Sequence, residues 1–179
     1  MTGAPGGAGA TPTPAPAPTP ELLRRLACFV YEGVLLFGVV MAAGLVYSLA
    51  TRQRHALVGL HGMQAFVFFV VGAYFTWFWS HGGRTLAMQT WHIRLVSADG
   101  RPVSWQRALC RYLLAWLWFL PALAAVYGSG LKGAAPTFAA LAAGVLAYAA
   151  LTRLRPDRQF LHDALCGTRL VTWRPQPKP

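Results

Sequence analysis

Four long apolar runs, at residues 26–50, 56–80, 106–127 and 134–152, take up most of this 179-residue chain and leave its backbone few options. Each run approaches or exceeds the roughly 20 residues that cross a bilayer as a helix. In hydrocarbon every backbone N–H and C=O must find a partner within the protein, so such runs become helices or closed barrels. Their continuous, non-alternating character selects helices. With 55% hydrophobic and 12% charged residues, the chain is far from the roughly one-quarter charged composition of a soluble domain. We therefore expect an all-α membrane protein: four transmembrane helices with a small cytoplasmic β-hairpin insertion and a cytoplasmic tail.

The segments between the runs refine this outline. Residues 1–20 are mostly Pro, Ala, Gly and Thr without charge or aromatic rings, which predicts a disordered, polyproline-leaning tail. That tail lacks the basic and apolar regions of a cleaved signal peptide, so the first span is expected to act as an uncleaved anchor. Residues 21–174 form the transmembrane domain and 175–179 a second disordered end. Thr51–His55 is short enough to make spans one and two a tight antiparallel hairpin. Pro121 is expected to kink the third span, since neighbouring helices can satisfy the carbonyl it frees. The fourth span is Ala-rich and less hydrophobic, with a re-entrant segment as its alternative.

Basic residues set the orientation. Thirteen of the sixteen, among them Arg24, Arg25, Arg84, Arg111, Arg153 and Lys178, fall on the side carrying both termini and the central loop; Arg52, Arg54 and Lys132 fall on the other. The positive-inside rule then puts both termini and the central loop in the cytoplasm. The net charge of +11 lies along span borders without a stacking platform or reader motif, which argues for anionic lipid headgroups and against nucleic acid. Trp77, Trp79 and Trp105 at one interface and Tyr47 and Tyr127 at the other fit an aromatic belt.

Two connecting segments carry structure of their own. Trp91, Ile93 and Leu95 alternate with His92, Arg94 and Val96, a strand pattern. Asp99-Gly100 is a hairpin turn signal with Arg101–Ser104 as the return strand. Ser104 is placed to cap the third span. Pro156–Cys166 reads as a short interfacial helix whose apolar face is Phe160, Leu161, Ala164 and Leu165, ended by Gly167. Thr168–Trp173 alternates again and could join the central hairpin in one sheet.

Few residues carry chemistry. Glu32 puts a carboxylate inside the first span, where a charge costs roughly 2.5–3.5 kcal/mol on insertion scales. Its expected partners are Arg25, seven positions earlier on the same face, or Arg111; the competing role is a proton- or cation-binding carboxyl. Asp163, beyond the last span, should be less desolvated and pair with Arg84, Arg94 or Arg111. His162 is a proton relay or a hydrogen-bonded structural group. His61 and Gln64 share a face of the second span and are secondary candidates for interhelical hydrogen bonds or a polar path. Cys28, Cys110 and Cys166 match no zinc or redox spacing. Ala135, Ala139, Ala143 and Ala147, with Ala140 and Gly144 beside them, permit close packing within the bundle or a homodimer. No metal, cofactor or catalytic arrangement is evident, which argues against an enzyme.

Three blocks of this chain resemble the RDD family of small bacterial membrane proteins. Arg24-Arg25-Leu26-Ala27 through Tyr31-Glu32-Gly33 is similar to the family's opening arginine and Asp-Gly block. Gly83-Arg84-Thr85 leading to Ile93–Val96 and Asp99-Gly100 is similar to its G-x-T block with strand and turn. His162-Asp163 followed by Gly167-Thr168 is similar to its H-D and G-T ending. The resemblance implies that the family arginine is Arg25 and its aspartates Glu32 and Asp163. Glu replaces Asp at 32, and Ala87, Met88 and Gln89 stand where the family has Gly, Lys and a following residue, so the family's lysine is missing from that block. The resemblance also implies an integral membrane protein, with transport of small ions or solutes as the suggested role. The alternative is an accessory or scaffold protein that binds a larger membrane complex. Reporter fusions after residues 53, 95 and 132 should register cytoplasm only at the middle site; any other pattern overturns the orientation.

Overall fold

The computed structural model describes residues 17–52, 59–130 and 132–173. Residues 1–16 of the expected tail, the first positions of the expected second span, Arg54, His55 and the 174–179 end lie outside the described residues. Four helical segments are long and apolar enough to cross a membrane. Helix α1 (Leu22–Ala50) is followed by α2 (Leu60–His81). The third segment is two helices, α4 (Trp105–Ala115) and α5 (Leu120–Ser129), and the fourth is α6 (Ala134–Ala150) with a 3₁₀ turn, Leu151–Leu154. At 29 residues and 1.5 Å per residue, α1 is about 44 Å long, more than a 30 Å hydrocarbon core needs.

The break in the third segment has the expected cause. Pro121 offers no N–H to the Leu117 carbonyl, and the chain tightens into a 3₁₀ turn at Trp116–Trp118, where Phe119 N donates to Trp116 O at 2.9 Å. Ser104 caps α4 as expected, its hydroxyl accepting from Arg107 N. Small residues set the closest helix contacts. A Cβ on Gly72 would lie 2.8 Å from the Tyr112 ring, bringing α2 against α4, and one on Gly144 would lie 2.8 Å from the Ala122 Cβ, bringing α6 against α5. Ala135, Ala139, Ala143 and Ala147 instead form an exposed row on α6.

One end of the bundle is closed by a cap. It consists of helix α3 (Leu86–Thr90), strand β1 (Ile93–Ser97), helix α7 (Leu161–Leu165) and strand β2 (Thr168–Thr172). The expected β-hairpin is corrected here. The Asp99-Gly100 turn forms, with Ser97 N bonded to Arg101 O, but Arg101–Ser104 makes no strand. Strand β1 pairs antiparallel with β2, from Ile93 opposite Thr172 to Ser97 opposite Thr168. Pro102 lacks the donor a return strand needs, whereas Thr168–Thr172 supplies a full ladder.

The expected helix over Pro156–Cys166 shrinks to α7, and its buried side is not the apolar one. Leu161 and Leu165 are exposed, while Phe160, His162, Asp163 and Cys166 face inward. Residues 17–20 are also more ordered than the composition suggests: Thr172 N donates to Pro18 O at 2.9 Å, and Thr19 accepts from Gln159. Trp79, placed in an interfacial belt by sequence, is 5% exposed and belongs to the core; Trp77 and Trp105 remain exposed.

Gly83 positions β1. Its φ of +68° is a left-handed conformation, its carbonyl accepts from Leu95 N at 2.7 Å, and a Cβ there would collide with the Leu95 carbonyl. Gly83→Ala should lower stability by about 1–2 kcal/mol or more, read as thermal unfolding in detergent micelles. Gly44→Ala, where a Cβ meets open space, should leave it unchanged or slightly raised. Equal effects at both sites would show that the tight approach at Gly83 does not matter.

Candidate functional site

The capped end of the bundle holds two carboxyl groups in different surroundings. Asp163 lies on α7 with 0% exposure, contrary to the lighter desolvation expected for a residue beyond the last span. Its Oδ1 accepts from Arg111 Nε at 2.6 Å and from the Thr168 hydroxyl at 3.1 Å. Of the three arginines expected to be its partner, Arg111 is the one bonded. The Arg111 guanidinium also covers the Trp79 ring, 4.2 Å from its centroid. Burial works to raise the Asp163 pKa, but the Arg111 charge, His162 and the hydrogen bonds from Arg111 and Thr168 outweigh it and hold the carboxyl below its ordinary range.

His162 is buried beside this pair, its Nε2 3.7 Å from Asp163 Oδ2. Its ring lies nearly parallel to those of Tyr148 and Phe160, with interplanar angles of 11° and 9° and all three centroids within 6.4 Å of one another. The Tyr148 hydroxyl accepts from His162 N at 3.0 Å and lies 2.9 Å from Nδ1. The hydroxyl thus holds both the backbone and the ring of His162, while the other ring nitrogen faces Asp163. Burial pushes the imidazole pKa down to about 4, so the ring is neutral near pH 7.

Glu32, 7% exposed, is held differently. One oxygen accepts from Tyr74 at 2.8 Å and the other from the Thr85 hydroxyl. Among the described residues it makes no ion pair within 4 Å, so the expected partnership with Arg25 or Arg111 is corrected. Thr85 also caps α3, accepting from Met88 N at 3.2 Å. Tyr74 and Thr85 are therefore site residues that charge and spacing alone did not mark. Thr85 was visible only as the threonine of a motif, and Tyr74 as one aromatic among many.

Arg25, 4% exposed, lies with its guanidinium 4.5 Å from the centroid of Phe160, and its Nε and Nη1 have no hydrogen-bond partner among the described residues. Its neighbour Arg24 is structural: Nε donates to Trp91 O at 2.6 Å and Nη2 to His92 O at 3.1 Å, fastening α1 to the cap. Gln159, also unmarked in the sequence, grips β2 like an added strand, its amide exchanging 3.0 Å bonds with Leu170 O and N. Arg84 stacks on Trp173 at 3.9 Å. Cys110 and Cys166 are free thiols with sulfurs 3.3 Å apart.

A cavity of about 1340 Å³ runs along α1, α2 and α4 beside these groups. Arg25, Glu32, Arg111 and His162 line its capped end, and Gln64 and Ser48 line it towards the other. His61 is exposed and is not among the residues lining the cavity. Arg25, Arg111, His162 and Asp163 thus gather at one end, Glu32 stands nearby with hydroxyl partners, and the histidine and glutamine of the second span lie apart.

Four apolar membrane-length helices, a two-stranded cap and acidic groups set among arginines define a multi-pass membrane protein built around a polar cluster at one end of the bundle. The family model for the RDD family matches residues 19–167, and the chain belongs to that family. No curated protein and no solved structure matches the chain.

The linkage of His162 has a definite sign. Between pH 6.5 and about 4 the unfolded histidine binds a proton that the folded one does not, so stability is full above that window and falls as pH drops through it. The shift corresponds to about 3 kcal/mol. Asp163, with its folded pKa lowered, adds a further loss at lower pH. Unfolding followed at pH 7.5 and pH 5 should show a lower midpoint in acid, and His162→Gln should flatten the dependence in this window. A slope unchanged in His162→Gln would assign it to other groups.

Proposed function

We propose that the protein resides in a bacterial inner membrane with both termini cytoplasmic and moves small ions or solutes, using Glu32 to bind the proton or cation. The observation that carries this reading is the setting of Glu32: a buried carboxyl on the cavity wall, held by two neutral hydroxyls and no arginine. A guanidinium would lock a carboxylate in its charged form, whereas hydroxyls can donate to it or turn to accept from it. Intramembrane ionisable groups of this kind mark ion and proton paths in transporters. Asp163 is unsuited to the same task, because Arg111 holds its charge. Its role in this reading is to fix the cap.

The test is ion flux into proteoliposomes under proton and cation gradients, comparing wild type with Glu32→Gln and Tyr74→Phe. Expected is flux in the wild type, abolished by Glu32→Gln with folding intact, and a shifted pH dependence in Tyr74→Phe. No flux under any gradient, with stable co-purification of a membrane complex, would establish the scaffold role instead. Loss of Glu32→Gln from the membrane would make the carboxyl structural.

A further inference from the structure

At the capped end Arg25 is a buried guanidinium that no carboxylate contacts among the described residues. It is 4% exposed, two of its nitrogens lack hydrogen-bond partners, and it makes no ion pair among the described residues. Asp163 acts on Arg25 through space and not by contact, its Oδ1 being bonded to Arg111, and Glu32 is held by Tyr74 and Thr85. A buried guanidinium left this way is costly unless something completes it, and phosphate or carboxylate oxygens match its fork of donors. Phe160 covers one face of the group, and Arg25 borders the cavity.

The cavity that Arg25 borders says what the completing group is attached to. Its volume of about 1340 Å³ exceeds the roughly 300–1,000 Å³ of drug-sized sites, so an isolated ion would leave it nearly empty. Its walls are overwhelmingly apolar. Along α1 its lining extends from Arg25 to Ser48, which at 1.5 Å per residue is about 34 Å, close to the thickness of a hydrocarbon core. Arg25 stands in the first turn of α1, the depth at which headgroups lie. Gly33 and Gly44 keep the wall open, since a Cβ on either would meet nothing within 4 Å.

We infer that this cavity seats one membrane phospholipid of net negative charge, its phosphate bound by the unpartnered Arg25 guanidinium and its tails lying along α1 past Gly33 and Gly44. The inference goes beyond the transport reading and stands whether or not the protein moves ions. Basic pockets between transmembrane helices are a recognised way of holding anionic headgroups. Here the pocket adds a tail channel that would select an amphiphile over a free anion.

The experiment is native mass spectrometry of the full chain purified in nonionic detergent, delipidated and titrated with phosphatidylglycerol, phosphatidylcholine or inorganic phosphate. Expected is one retained phosphatidylglycerol per chain, with phosphatidylcholine about tenfold or more weaker and inorganic phosphate unable to displace the lipid. Arg25→Gln should weaken phosphatidylglycerol by about tenfold or more, with folding checked by thermal unfolding. Should Arg25→Gln fail to fold, Gly44→Phe decides, because it fills the tail channel with Arg25 intact and should expel the lipid. Equal binding of the two lipids, phosphatidylglycerol binding unchanged in Gly44→Phe, or phosphate binding as tightly as lipid would overturn the proposal. So would a lipid-free dimer that Gly44→Phe dissolves, which would give the groove to a second copy.

Discussion

The contact between Arg111 and Asp163 organises the capped end. An aspartate with no exposure has given up all its hydration, and such a charge persists only with a close, hydrogen-bonded partner. Arg111 projects from the third membrane segment and Asp163 from the short helix after the fourth, so the pair ties the polypeptide that leaves the membrane back to the bundle. Breaking a pair of this kind leaves one charge stranded, at about 3–5 kcal/mol, even where the pair adds little net stability. The stacked rings of Tyr148, His162 and Phe160 then fill the space around it, and Thr168, bonded to Asp163, begins the second strand.

Similar chemistry repeats with a different outcome at Glu32. Both carboxyl groups receive a threonine hydroxyl, Thr85 in one case and Thr168 in the other, and each threonine stands one or two residues after a glycine with positive φ, Gly83 or Gly167. In this chain the two blocks are thus a pair of turns that aim hydroxyls at carboxyl groups. What separates the two sites is the remaining partner: a guanidinium for Asp163, a phenol for Glu32. One site has a fixed charge, while the other has partners that tolerate more than one protonation arrangement.

Much of this fold was legible in the chain because lipid simplifies the problem. Apolar length predicted four membrane-length helices, which are present, and Ser104 caps the third segment as expected. The kink expected at Pro121 is a full break between two helices. Alternation around Ile93 and Leu170 marked two strands of one sheet, but local turn chemistry at Asp99-Gly100 suggested a return strand that does not form. Pairing of the two depends on where Arg111 and Gln159 hold the tail, and neither bond is local. At the site, charge identified Arg25, Glu32, Arg111 and Asp163 but not who pairs with whom. Helical spacing favoured Arg25 for Glu32; the third dimension gave it Tyr74 and Thr85 instead. Neutral partners leave no charge signal, which is why they went unseen.

The pairing of the two strands also bears on how the molecule comes into being. Strand β1 leaves the ribosome about seventy-five residues before the strand it pairs with, and the third and fourth membrane segments are made in between. Throughout that interval its ladder donors and acceptors face water, and the Arg111 side chain has no aspartate. Membrane insertion is therefore finished before the cap can close. Closure then brings the stretch that opens the first helix and the end of the chain together, where Pro18 meets Thr172, so a nascent chain truncated before Thr168 would hold its helices and leave that end unsealed.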